Sequence, residues 1–127
     1  MNVKIEEIKV LNKNTFVNFA SPLGRGKAIW LGNMPIKNEN YDVEIDIDEK
    51  LWWGSTILGA NSKQPKIKEG KDSIELTGEV VAIEEDGLLI VSIGGSLIFV
   101  ETDLEKNPQK PFVTMRTHHL TMHDSNY

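Results

Sequence analysis

In the stretch from residue 41 to residue 53, carboxylates occupy every second position between residues 42 and 48. They are Asp42, Glu44, Asp46 and Asp48. Because successive side chains of a β-strand point to opposite faces, these acids would stand in one row, about 7 Å apart. The other face would carry apolar side chains, with Glu49 as the one break: Tyr41, Val43, Ile45, Ile47, Leu51 and Trp53. The pattern predicts a single extended strand over residues 41–53 with an acidic face.

A row of carboxylates has three interpretations. It can pair with the Lys and Arg side chains of a basic protein and fix its register. It can hold Ca²⁺ or Mg²⁺, but side chains two residues apart on a flat strand diverge too far to share one ion. The run from Asp42 to Asp48 also lacks the glycine and terminal glutamate of an EF-hand loop. The third interpretation is a solvated sheet face, with lysines of neighbouring strands balancing its charge.

Trp52 falls on the same face as the carboxylates if the alternation continues. Exposed tryptophan is enriched at the energetic centres of protein interfaces. A ring flanked by acids would suit a partner's Lys or Arg, and a cation–π contact contributes roughly 0.5–2 kcal/mol. The alternative is that Trp52 packs beneath the segment 54–70, or that a bulge turns it inward.

Two further motifs suggest ligands. His118, His119 and His123, followed by Asp124, could bind Zn²⁺, but their spacing matches no standard zinc signature and favours a solvated C-terminal strand. The run Gly24-Arg25-Gly26-Lys27 resembles part of a phosphate loop, but lacks the full spacing and a following helix. We expect a flexible turn there, and the sequence gives no reason to expect a metal or a cofactor.

The residue sets of an enzyme are missing from the sequence. The chain has no cysteine, which excludes thiolate nucleophiles, thiolate metal sites and disulfides. No serine lies in a Gly-x-Ser-x-Gly elbow, and the three histidines cluster near one end. We therefore expect no enzymatic activity. A carboxylate pair brought together by the fold is the open alternative.

Short strands must position these residues. Over the first half, alternation predicts strands at 3–11, 15–19 and 27–31, with turns and a loop at 21–26 between them. The first strand changes phase near Glu6-Glu7, as it would across a β-bulge. Segment 61–71, with Pro65 and Gly70, is predicted to be a surface loop.

The second half predicts a meander of three strands at 74–84, 88–93 and 97–101. Asp86-Gly87 and Gly94-Gly95 provide the tight turns. A charged connector at 103–111 leads to a last strand at 112–121 and a frayed tail at 123–127. The meander resembles that of an OB-type barrel, with Gly78 at the bend where a barrel closes. The chain as a whole (1–127) is predicted to be a single all-β domain, a partly open barrel or sandwich of seven to eight short antiparallel strands.

Composition narrows the classes of partner. At a net charge of −5 with only two arginines, Arg25 and Arg116, binding to nucleic acid is disfavoured and a basic protein is favoured. The first residues alternate like a strand and contain no long apolar run, so we expect no signal peptide, no membrane contact and a cytoplasmic protein. The sequence sets no oligomeric state.

These features predict a non-catalytic inhibitor of a basic partner. The profile is similar to that of bacterial immunity proteins that neutralise cationic nuclease toxins. Such a protein would occlude the partner's cleft with its acidic row and use Trp52 as an apolar anchor. The alternative is an OB-like module for single-stranded nucleic acid or a small ligand, which needs aromatics and lysines on one face. Its candidate residues are Trp30, Trp52, Phe99, Lys63, Lys66, Lys68 and Lys71.

Overall fold

A computed structural model describes residues 1–103 and 110–126, and this part of the chain is built from strands joined by short turns. The predicted connector at 103–111 lies mostly outside these residues. Eleven strands are described: β1 (Asn2–Leu11), β2 (Asn14–Ser21), β3 (Gly24–Leu31), β4 (Asn40–Ile47), β5 (Ile57–Ala60), β6 (Lys66–Glu69), β7 (Ile74–Ile83), β8 (Leu88–Ile93), β9 (Ser96–Glu101), β10 (Phe112–Thr117) and β11 (Leu120–Asp124).

The first four strands and the last strand close a barrel in the order β1-β2-β3-β11-β4. All of its pairs are antiparallel except β3 with β11, which are parallel. The register of β1 on β2 shifts between Ile5 and Glu7. This confirms the bulge that the change of phase at Glu6-Glu7 predicts, and an inserted residue of this kind bends a strand.

Strand β4 carries the acidic row, and it is shorter than the alternation suggests. Val43, Ile45 and Ile47 are buried, and the acids between them are exposed. The strand ends at Ile47, so the prediction of one continuous strand to Trp53 is wrong beyond that point. The reason is the break at Glu49, because an acid on the inward face cannot continue the buried side of a sheet. Beyond it, the described residues form single bridges at Leu51 and Trp53.

The other strands form a second sheet in the order β5-β10-β7-β8-β9, with β6 also paired to β7. The predicted meander is confirmed as β7, β8 and β9, but it belongs to this sheet and not to the barrel. Gly78 accordingly marks a close approach between strands. A Cβ atom there would lie 2.5 Å from Cγ1 of Val91 and 2.7 Å from Cγ1 of Ile93.

Three predictions about the later elements are wrong. The polar segment 61–71 is not wholly a loop, because β6 lies within it and pairs with β7. The segment 112–121 is not one strand but parts of two: β10 pairs in the second sheet and β11 in the barrel. The chain crosses between the sheets at His118 and His119. The predicted frayed tail is also wrong for His123 and Asp124, which pair with β4.

Buried side chains from both sheets pack into one core, and the expected all-β barrel fold is confirmed. Barrel residues such as Phe19 and Met122 are fully buried, as are Leu76 and Ile98 of the second sheet. Within residues 1–103 and 110–126, no helix is long and apolar enough to cross a membrane.

Candidate functional site

The acidic row lies on the outer surface of the barrel. Asp42, Glu44 and Asp46 project from β4, and Asp48 follows the end of the strand; all four are exposed. The row therefore exists as the sequence predicts. Asp48 follows the last residue of β4, and its backbone N–H still donates to the carbonyl oxygen of His119 at 2.8 Å. The alternation does not indicate which of these acids form ion pairs within the molecule.

The two acids at the start of the row have partners within the molecule. The α-ammonium group of Met1 lies 3.1 Å from Oδ1 of Asp42. A hydrogen bond from this group, then its charge and a smaller contribution from Ser125, lower the pKa of Asp42. Nε2 of His123 lies 2.9 Å from Oε2 of Glu44. Within the part of the chain that the structure describes, no ion pair involves Asp46 or Asp48.

A groove separates β4 from β9, the edge strand of the second sheet. One side is formed by Asp42, Glu44 and Asp46, and the other by Ser96, Leu97 and Phe99. Its volume is about 460 Å³, within the range of pockets that bind small ligands or side chains. We call it the β4–β9 groove. It joins the acidic row to a second surface, formed by residues of β9.

The apolar side of this groove is exposed to solvent. Leu97 is 53% and Phe99 52% exposed, while Ile98 and Val100 between and beyond them are buried. Large exposed hydrophobic side chains next to polar groups are typical of interaction sites. The sequence contained the signal, because apolar residues occupy both faces of β9 and only one face can meet the core. It did not indicate that the outward pair lies beside β4.

Trp52 is exposed, as the alternation predicts, although it lies outside a regular strand. Its side chain is 51% exposed, and Nζ of Lys50 lies 4.6 Å from the ring centroid. Its backbone N–H donates to Oγ1 of Thr56 at 2.8 Å, which fixes the turn after it. Trp53 turns the other way and is packed against the core. Trp52 is not among the described residues that line the β4–β9 groove.

The three histidines do not converge. Nδ1 of His118 lies 2.7 Å from the carbonyl oxygen of Asp72, and His119 follows in the crossing between the sheets. His123 lies on β11 and contacts Glu44. Among the described residues, no group of three or more His, Asp or Glu side chains could hold a metal ion.

Three residues of the OB-like alternative lie apart from one another. Trp30 is buried, and its Nε1 donates to the carbonyl oxygen of Asn33 at 2.7 Å, so its ring is not available for stacking on bases. Lys71 lines a separate pocket of about 260 Å³ together with Phe16 and Lys27. Phe99 lies across the groove from the carboxylates. Trp30, Lys71 and Phe99 therefore do not share one face.

No protein-family model, curated protein or solved structure matches this chain.

Proposed function

We propose that this protein is a non-catalytic module that binds a basic protein partner through the acidic row and the β4–β9 groove. The observation that carries the proposal is the juxtaposition of Asp46, which has no ion-pair partner among the described residues, with the exposed side chains of Leu97 and Phe99. Charge on one side and apolar surface on the other are the two components of a protein interface.

Each component has a distinct physical role. The acids, on a chain with a net charge of −5, attract a cationic surface over a distance and accelerate encounter. Leu97 and Phe99 lose contact with water when a partner covers them, which slows dissociation. Since Asp42 and Glu44 already contact Met1 and His123, we assign the steering of the partner mainly to Asp46 and Asp48.

The more specific proposal is inhibition by occlusion. A basic toxin or nuclease binds phosphate with a cationic cleft, and a row of carboxylates would neutralise that cleft. Trp52, exposed beyond the end of β4, would add an apolar anchor at the edge of the contact with the partner. This proposal needs no catalytic residue, metal or cofactor on the inhibitor.

The experiment compares two charge-matched double variants. Protein immobilised at low salt captures proteins from a cell extract, and each captured protein is identified, purified and measured again. The test variant is Asp46→Asn with Asp48→Asn. The control is Glu79→Gln with Glu84→Gln, which removes the same charge from exposed positions on β7 and the turn after it. All four substitutions lie on the surface, so we expect unfolding free energies within about 0.5 kcal/mol of the parent.

We expect a purified basic partner to associate about threefold to tenfold more slowly with the test variant, and with a weaker dependence on salt. The control should associate at nearly the parental rate. An acidic or neutral partner, or equal slowing by both double variants, would contradict the assignment of the acidic row to binding.

A further inference from the structure

Within the described residues, parts of β4 and β9 that face the β4–β9 groove have no partner strand on that side. Strand β1 pairs with β4 only as far as Met1, whose carbonyl oxygen accepts from the N–H of Val43 at 2.8 Å. Backbone groups along a strand point alternately to its two sides. Ile45 therefore directs its N–H and C=O to the same side as Val43, and within the described residues it forms no pair with β1.

The opposite side of the groove is also a strand edge. The N–H of Leu51 donates to the carbonyl oxygen of Glu101 at 2.9 Å. The backbone carbonyl of Glu101 therefore points away from β8. By the same alternation, Leu97 and Phe99 direct their backbone groups into the groove. In residues 1–103 and 110–126, β9 pairs with β8 alone, and no hydrogen bond joins Ile45 to Leu97 or Phe99. Backbone acceptors on both sides of the groove are thus open to hydrogen bonds from water or from a ligand.

One end of the groove already holds a cationic nitrogen. The α-ammonium group of Met1 lies 3.1 Å from Oδ1 of Asp42, 3.1 Å from the carbonyl oxygen of Val43 and 3.2 Å from Oγ of Ser96. Carboxylate, backbone carbonyl and hydroxyl oxygens thus converge on a positive charge. The remainder of the groove is lined by Ile45, which directs its backbone carbonyl into it, and by Asp46, which adds a carboxylate.

We propose that the rest of the β4–β9 groove is a slot for one arginine side chain of the partner. A guanidinium group donates from its edges in several directions and stacks on aromatic rings through its faces. The groove matches both properties, with backbone carbonyls on two sides and the exposed ring of Phe99. Leu97 covers the aliphatic part of the side chain, and Asp46 balances its charge. This inference rests on the proposed function and names the group that the site recognises.

The test uses small probes and the whole 127-residue chain. Amide resonances of Ile45, Leu97 and Phe99 are followed by NMR during titration with Nα-acetyl-arginine methylamide. The same titration uses the derivatives of citrulline, which has the shape of arginine without its charge, and of lysine. We expect saturable shifts for arginine with a dissociation constant on the order of a few millimolar. The citrulline derivative should bind at least about tenfold more weakly.

Variants separate the slot from general charge attraction. Phe99→Ala should weaken binding of the arginine derivative about threefold to tenfold. Phe99→Leu, which keeps an apolar side chain in place, should weaken it nearly as much, because stacking on the ring is lost in both variants. Phe16→Ala removes a partly exposed ring from β2 and is the control. Three outcomes would each overturn the arginine slot. They are an absence of shifts at the groove, equal binding of the lysine derivative, and unchanged binding of the arginine derivative to Phe99→Ala.

The same variants distinguish the two proposals. If a purified basic partner still responds to Asp46→Asn with Asp48→Asn but not to Phe99→Ala, the slot is wrong and the proposed function stands. If the arginine derivative binds at the groove but no basic partner depends on the acidic row, the proposed function fails and the slot recognises a free cation instead.

Discussion

The carboxylate of Glu49 holds the turn between β10 and β11 through Thr117. The Thr117 hydroxyl donates to Oε1 of Glu49 at 2.5 Å, and the same oxygen accepts from the N–H of His118 at 2.8 Å. Thr117 is fully buried, and its Oγ1 in turn accepts from the N–H of His119 at 3.0 Å. The residue that interrupts the alternation of the acidic strand thus fastens the point where the chain crosses from one sheet to the other.

Removing this carboxylate should destabilise the fold. Glu49→Ala leaves the Thr117 hydroxyl and the His118 N–H without their acceptor. A loss of about 1–3 kcal/mol in the free energy of unfolding is expected for such unsatisfied groups. Urea denaturation followed by tryptophan fluorescence measures it. Asp48→Ala, at the exposed neighbouring position, is the control and should stay within about 0.5 kcal/mol. Equal losses in the two variants would contradict the role of Glu49.

Stability should depend on the ionisation of Glu49 at acid pH. Partial burial raises the pKa of Glu49, but hydrogen bonds from Thr117 and His118 and the charges of His119 and His118 outweigh it, so the pKa lies below its ordinary value of 4.5. The folded state then binds fewer protons than the unfolded state. Its stabilisation is complete above the unfolded pKa and is lost as the pH falls through the folded pKa.

Glu49→Gln tests this dependence. The amide keeps the size of the side chain and one oxygen acceptor but does not titrate, so its stability should fall less steeply between about pH 6 and about pH 3. Urea midpoints of parent and variant, measured across this range, should converge towards the acid end. Parallel curves would mean that Glu49 does not contribute to the acid sensitivity of the fold.

Gly78 allows the strands of the second sheet to pack closely. A methyl group there would meet Val91 Cγ1 and Ile93 Cγ1 at 2.5 Å and 2.7 Å, and the carbonyl oxygen of Ser92 at 2.7 Å. Gly78→Ala should therefore cost about 1–3 kcal/mol through overpacking. Gly59→Ala is the matched control, because the nearest atom to its new methyl group, Cδ of Lys110, would lie 3.4 Å away on a flexible side chain. Thermal unfolding of both variants measures the two losses of stability. A larger loss in Gly59→Ala than in Gly78→Ala would contradict this role of Gly78.

The acidic row is thus partly structural and partly free. Asp42 and Glu44 contact Met1 and His123 and help to join β4 to its neighbours β1 and β11. Asp46 and Asp48 have no such ion pair among the described residues and are the acids with charge to offer a partner. Variants of the first two acids would mix effects on folding with effects on binding, which is why the binding experiment uses the last two.

The sequence by itself determined the features that depend on local geometry. A period of two assigns Val43 and Ile45 to the core and Asp46 to solvent, and a change of phase locates the bulge in β1. Turn residues such as Asp86-Gly87 delimit the meander, because few residues adopt the backbone angles of a tight turn. These are properties of neighbours along the chain, and residues a few positions apart carry the whole signal.

Only the tertiary structure decided which distant strands meet. Alternation shows that Leu97 and Phe99 share a face, but not that this face lies beside Asp46, some fifty residues earlier. It likewise cannot show that Glu49 contacts Thr117, or that residues 112–121 divide between two sheets. Strand pairing is chosen by the packing of the whole core, since every strand offers the same backbone groups to every other. The groove exists because that packing leaves the edges of β4 and β9 facing each other.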